Sequence, residues 1–347
     1  IQVSVLSSQA MKVLSTDQVV ALTTAQFARM TSVQIDGLTT KQLAVLAPGD
    51  VASFSSGALA AFDSMQIQSL SASQIAALTT RQMAGLTTEF LDEVSAQQVA
   101  QWSTLQLGAL TSQQVSSLES SQLLALGPER FGSLSVPAVA GLTTEQLDFL
   151  PAEFIAAMLP TQIARLSVSQ LQSLSTEQFA ALGVNAIAAL SSVQIRGLLP
   201  EQVEQLSAAQ VAAIGAQQMA SLTLEALDRF SGEQIAALTT AQVSRITSTQ
   251  LASLSADQLA ALESTDAAAL QVQAFSSLGA EQLQALTLPV IAALKTQQIV
   301  GMGTAQIASL SLEQVDALTG TQMAALTSRQ IAALTVEQWL SLDADEL

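Results

Sequence analysis

Leu78-Thr79-Thr80-Arg81-Gln82-Met83-Ala84-Gly85 is one of 42 consecutive eight-residue units that run from residue 6 to residue 341 without insertion, deletion or phase slip. With Leu78 at position a and Gly85 at position h, a is Leu in 32 units and Met, Phe, Val, Ile or Trp in the other ten. Position b is Ser or Thr in 28, e is Gln in 30, and f is apolar in all 42. A period of eight does not suit a continuous helix. Eight steps of about 100° overshoot two turns by about 80°, so an apolar stripe would wind round the rod and bury nothing. Nor does it suit a strand, because a and f are five apart and an odd spacing points to opposite faces. Each octad is therefore expected to be its own short element ending in a bend.

The element is a helix. Ser/Thr at b with Gln at e is the capping box, in which the hydroxyl accepts from the third helical N–H and the Gln side chain reaches back to the cap. Positions a and f are then N′ and N4, the two ends of a hydrophobic staple. Half of the 28 acidic side chains lie at d, the second helical position, as at Asp17, Glu89, Glu145, Glu177, Glu233 and Glu313, where the helix dipole favours negative charge. Pro48, Pro128, Pro160 and Pro200 fall at c, the first helical position, where the missing N–H costs nothing. Pro137 and Pro289 are at d and Pro151 at b, and ten of the sixteen glycines are at b or h. The unit reads as a helix of about six residues, c to h, with a bend at a–b.

Helices this short are unstable alone, so a and f must be buried against neighbouring units, which is the logic of a solenoid. The expected fold is all-α: a superhelix of short capped helices, one per octad, forming a single continuous array over 1–347. Ala at g and h, as in Ala76-Ala77 and Ala332-Ala333, lets backbones approach. Gln at e is expected to cap and to form a polar ladder between coils; a ligand-binding row of amides is the other reading. Departures from Gln at Ala10, Asp50, Phe90 and Arg130, and again at Ala186, Ala226 and Asp266, step by 40 residues. They suggest 2.5 octads per superhelical turn, with three as the competing value. At about 10 Å per helix layer either value gives a rod of roughly 140–170 Å.

Composition sets the chemistry. The chain has no His, Cys or Tyr, so it lacks an imidazole base, a thiolate, a zinc-finger or haem-type ligand set and disulfides. Its many Ser and Thr have no partner to activate them. Paired carboxylates recur at d for a capping reason. No enzyme, catalytic residue, cofactor, metal site or small-molecule substrate is expected. Asp343-Ala344-Asp345-Glu346 could bind a hard cation, but reads first as an acidic partial octad able to cap the array. Hydrophobic residues are 49% and charged residues only 11%, so the exposed positions are Ser, Thr, Gln and Ala. The net charge of −17 argues against nucleic acid and against an anionic membrane surface. No apolar run approaches the ~20 residues that span a bilayer. The chain starts at Ile1 with no signal peptide, as a fragment or processed product would. The apolar Ile1–Val5 stretch follows the repeat backwards, so the N-terminal end is expected to be the sticky one, with neighbouring copies meeting weakly end to end. Trp102 at a and Trp339 at f are expected in the core. Phe90 and Phe154 at e and Phe149 at h are read as marking a groove, or as filler.

The unit Leu-Thr-Thr-x-Gln-(Ile/Leu/Val)-Ala-Ala-Leu, as at 22–30, 78–86 and 326–334, resembles the long repetitive tracts of very large bacterial surface or secreted proteins, labelled adhesin-like, haemagglutinin-like or haem-utilisation. The resemblance covers the whole chain and is one of repeat texture. With no His, Cys or Tyr to serve as a haem axial ligand, it implies a spacer or stalk. The expected function is thus a non-enzymatic repeat rod of a secreted or cell-surface bacterial protein, with cytoplasmic residence left open. The alternative is a protein- or peptide-binding α-solenoid.

Overall fold

The structure is a computed structural model that describes residues 3–342. Among the described residues there are 41 α-helices, a 3-10 turn at Val3–Val5 and no strand. Every α-helix opens at position c, with b as its N-cap. Most run four to six residues, as in Thr24–Phe27 and Ser64–Ser69. Ser120–Phe131 is two octads joined across Gly127 at φ 70°, ψ 156°. Gly127 is the only described residue with positive φ, a region that glycine alone enters at little cost.

Local chemistry explains most starts. Thr79 is extended (φ −73°, ψ 157°), its Oγ1 accepts from the Gln82 N–H, and its own N–H donates to Gln82 Oε1 at 2.7 Å. The same box recurs with Ser15, Ser71, Thr143 and Ser311. Where b is Leu159, Gly215, Gly279, Lys295 or Gly303 there is no side-chain acceptor, and only the half from backbone N–H to Gln oxygen persists.

The chain forms two compact units, Ile1–Leu174 and Ser175–Leu347. Within each, the f side chains lie almost wholly inside, as at Ile75, Val115, Ile187 and Val243, and the a leucines are nearly as deep. Each fully buried Ile or Leu contributes about 1.5–3 kcal/mol, so the a/f pair is the main driving term. Contacts between elements join helices three octads apart.

The repeat of the coil differs from the expected value. Gln side chains bond carbonyls 28 and 31 residues earlier, and h residues press on c residues 29 earlier, as Gly141 does on Ser112. One turn is thus about 28 residues, or 28/8 = 3.5 octads, not 2.5, and somewhat more than three. The 40-residue recurrence of non-Gln residues at e marks local changes in core filling rather than closure of a turn.

Several side chains also depart from expectation. Gly37 and Gly141 at h serve close approach between turns: a Cβ on either glycine would overlap the backbone of Ser8 or Ser112 in the preceding turn. Trp102 is buried, whereas Trp339, expected in the core, is 40% exposed because no later described turn covers it. Phe90 and Phe154 are buried filler, stacking on Phe62 at 6.4 Å and edge-on to Phe131 at 5.4 Å, while Phe149 is exposed. The acidic stretch Asp343–Glu346, with its cation and capping readings, lies outside the described residues, as do Ile1 and Gln2. No described helix is long and apolar enough to cross a membrane.

Candidate functional site: the glutamine row and the acidic face

The most constrained polar group in the molecule is the Gln at e. Gln74 Oε1 accepts from the Ser71 N–H, while Nε2 donates at 2.8 Å to both the Leu43 and Leu46 carbonyls of the preceding turn. Gln242 repeats this with Thr239, Val211 and Ile214. The two accepting carbonyls belong to f and a at the C-terminal end of an earlier helix: the f oxygen also takes a local N–H, as Leu43 does from Leu46 at 3.1 Å, while the a oxygen lies past the last helical donor. One amide therefore caps the start of its own helix and the end of another, one turn below. These amides are buried and fully engaged, which favours the ladder over a ligand-binding row.

Donation separates Gln from Glu. A capping box accepts either residue, yet Glu stands at e in none of the 42 full octads, and only at Glu346 in the partial last one. A carboxylate could still accept from the cap N–H, but it would set an anion against two carbonyl oxygens. Asp occurs at e twice and finds a donor instead: Thr24 Oγ1 donates to Asp50, and Thr240 Oγ1 to the buried Asp266 at 2.6 Å. Arg130 at e donates to the Leu126, Ala125 and Ala100 carbonyls. Trp102 Nε1 is the one buried side-chain polar atom without a partner among the described residues; its indole fills position a, and nothing in the structure explains the orphaned N–H.

The exposed positions carry a pattern that the octad alone does not. In the second unit, Glu201, Glu225, Asp257, Glu281, Glu313 and Glu337 are all exposed at d, spaced alternately 24 and 32 residues. Their helices form one stack. Pro200–Glu204 packs on Leu224–Asp228, Ala256–Ala260 on Ala280–Ala285, and Leu312–Asp316 on Val336–Ser341. Gln258 and Gln314 bridge the intervening steps through the Leu227 and Phe230 and the Leu283 and Leu286 carbonyls. Glu204, Asp228 and Asp316 at g belong to the same helices. Two turns of 28 residues are seven octads, so this 24/32 alternation is the superhelical period written in charge. The first unit has a shorter version: Glu89, Asp92 and Glu93 stack through Ser112–Ser117 on Glu145 and Asp148. Arg229 is the only cation in the second unit's stack, 4.0 Å from Glu204 with both half-exposed, a pair worth little. Glu89 and Glu313 have carboxyls held below the usual range, first by a hydrogen bond from their own backbone N–H and then by the cap hydroxyls Thr87 and Ser311.

Clefts are grooves between helices of successive turns, such as that lined by Val136, Pro137, Ala140, Thr161, Ala164 and Arg165. No group of three or more potential metal ligands comes together among the described residues.

A run of capped helices in which, within each unit, glutamine amides join successive turns is a structural repeat protein of the α-solenoid class. More particularly, residues 12–48, 51–88 and 291–328, about one third of the chain, match the model of the ALTTAQ repeat. The hexapeptide itself stands at Ala21–Gln26 and Ala237–Gln242, spanning h to e. No curated protein matches the chain.

Proposed function

We propose that the chain is a non-enzymatic spacer, one continuous octad array that holds an adhesive or effector module away from a bacterial cell as part of a secreted or cell-surface adhesin-like protein. Uniformity carries this reading: 42 octads keep one register, and the same amide joint recurs in the first unit from Gln34 to Gln170 and in the second from Gln210 to Gln338. Stability in such an array sums over neighbouring turns, so length can change by whole octads without redesign. An acidic, hydroxyl-rich wall suits a spacer because like charge opposes lateral pairing.

A second reading, a binding solenoid, is favoured by the acidic face: Glu201 to Glu337 make a continuous row on one side, suited to a basic protein segment. A single experiment separates the two. The chain is displayed between a surface anchor and a reporter binding domain, and blocks of seven octads are deleted, which keeps every remaining face in register. A spacer loses reach in proportion to the number of blocks removed, whichever they are. If the effect depends instead on removing 201–256 in particular, the binding reading replaces the spacer.

A further inference from the structure

Two described octads put an acid where the joint has its glutamine, Asp50 in the first unit and Asp266 in the second. The neighbouring joints fix what each acid faces. Gln258 donates to the Leu227 and Phe230 carbonyls, 31 and 28 residues earlier, so the same register sets position 266 against the Ile235 and Leu238 carbonyls. Gln42, on Met11 and Leu14, likewise sets position 50 against Val19 and Leu22. The Ile235 and Val19 oxygens take local N–H groups from Leu238 and Leu22, but the Leu238 and Leu22 oxygens receive no donor among the described residues. Asp266 is only 6% exposed, and Thr240 Oγ1 donates to it at 2.6 Å. Thr24 Oγ1 donates to Asp50 at 3.2 Å, again from 26 residues earlier. Thr fills c in 11 of the 42 octads, yet it stands opposite both acids. Neither acid has a Lys or Arg partner: the one ion pair among the described residues is Arg229–Glu204.

A buried carboxylate beside two carbonyl oxygens, answered by one hydroxyl, is a poorly compensated charge. Ala58 and Ala226 fill e without this cost, because a buried methyl brings no charge. We propose that each Asp binds a hard cation of the calcium type between two turns. Its ligands are the Asp carboxylate, the Thr hydroxyl oxygen and the two carbonyls of the preceding turn, with water completing the shell on the exposed Thr side. All four protein ligands are oxygens, the set that hard cations take. The reach agrees as well. Asp is one methylene shorter than Gln, so its oxygen stops about 1.5 Å short of the place that the Gln258 nitrogen would reach. A cation holding oxygens at about 2.3–2.6 Å then takes the place of the amide nitrogen and pins the same two turns. With one carboxylate per site, affinity falls in the weak class, about 10⁻⁴–10⁻³ M. The proposal does not depend on the spacer reading.

Calcium titration of the whole chain tests it, by calorimetry and thermal melting, in about 0.15 M KCl to screen the exposed acids. Wild type should bind saturably at two sites and melt higher with calcium than without. Asp266→Asn keeps the shape and offers an amide donor to the carbonyls. It should lose one site and melt no lower than calcium-free wild type. Asp50→Asn/Asp266→Asn should lose both sites and the calcium-dependent shift, whereas Glu225→Gln/Glu281→Gln, on the exposed acidic row, should keep both. Helix content checks folding. Should an Asn variant fail that check, Thr240→Val, at an exposed position, leaves Asp266 in place and should weaken the second-unit site alone. Wild type without saturable binding well above that range, a doubly substituted chain that binds as wild type does, or binding abolished by the exposed-row substitutions would each overturn the proposal.

Discussion

Gln114 Nε2 lies 2.8 Å from the Leu86 carbonyl oxygen, 28 residues earlier and one superhelical turn away. It lies at the same distance from the Met83 carbonyl, and its Oε1 accepts from the Thr111 N–H. Apolar burial drives the turns together without direction, since any pair of greasy faces would do. The amide adds direction: three hydrogen bonds of about 0.5–1.5 kcal/mol each form only when helix start meets helix end in one register. Burial supplies most of the stability, and the glutamines select which octad sits on which.

Removing a cap should cost what a cap is worth. Thr111 Oγ1 accepts from the Gln114 N–H at 3.3 Å, so Thr111→Ala should lower stability by about 0.5–2 kcal/mol. Arg81→Gln, at an exposed d position, should stay within about 0.5 kcal/mol. Equal denaturant midpoints for the two variants would remove the capping assignment.

Glycine positions should respond with opposite signs. A Cβ at Gly141 would overlap the Ser112 backbone, whereas one at Gly57, inside Ser56–Leu59, meets nothing within 4 Å. Gly141→Ala should destabilise by about 1–3 kcal/mol through overpacking. Gly57→Ala should stabilise by about 0.5–1 kcal/mol through helix propensity. Thermal midpoints moving the same way in both would show that h glycines serve no close approach.

The capping carboxylates make a small pH-dependent contribution. Glu313 has its pKa lowered by its own backbone N–H and by Ser311. Its stabilising effect is therefore present above the unfolded value of about 4.3 and lost as pH falls through the folded value. Wild type should melt slightly above Glu313→Gln at pH 7, and the gap should narrow as acid protonates the carboxyl. A gap that persists in acid, or that has the opposite sign, contradicts the assignment.

Most of the helix, the cap and the core was legible in the octad because those interactions lie within eight residues. Thr79, Gln82, Leu78 and Met83 identify their own roles. The turn was harder to read, since it depends on how far each short helix rotates relative to the next, and no a or f residue records that angle. Substitutions at e, such as Phe90 and Ala186, respond to local volume and led toward the wrong period. Charge at d carries only part of that signal: Glu201, Glu225, Asp257 and Glu281 alternate by 24 and 32 residues, as a 28-residue turn requires, but Glu177 and Glu233 at d stand outside that series. Trp339 is 40% exposed at an internal octad position, because burial at f comes from a later turn than the described residues include. The second function of Gln, donation across turns, was visible only as the absence of Glu from e.

That absence leads to the most direct test. In Gln114→Glu the carboxylate can still accept from the Thr111 N–H, so a purely local cap predicts stability equal to wild type or better. If the amide joins one turn to the next, the variant loses both donations to Met83 and Leu86 and faces two carbonyls with a buried charge. Denaturant unfolding at pH 7 should then show a loss of about 2–4 kcal/mol, partly recovered below about pH 5 as the carboxyl, pushed up by burial, protonates and regains a donor. A Gln114→Glu chain as stable as wild type at pH 7 would contradict the joint on which the whole superhelix depends.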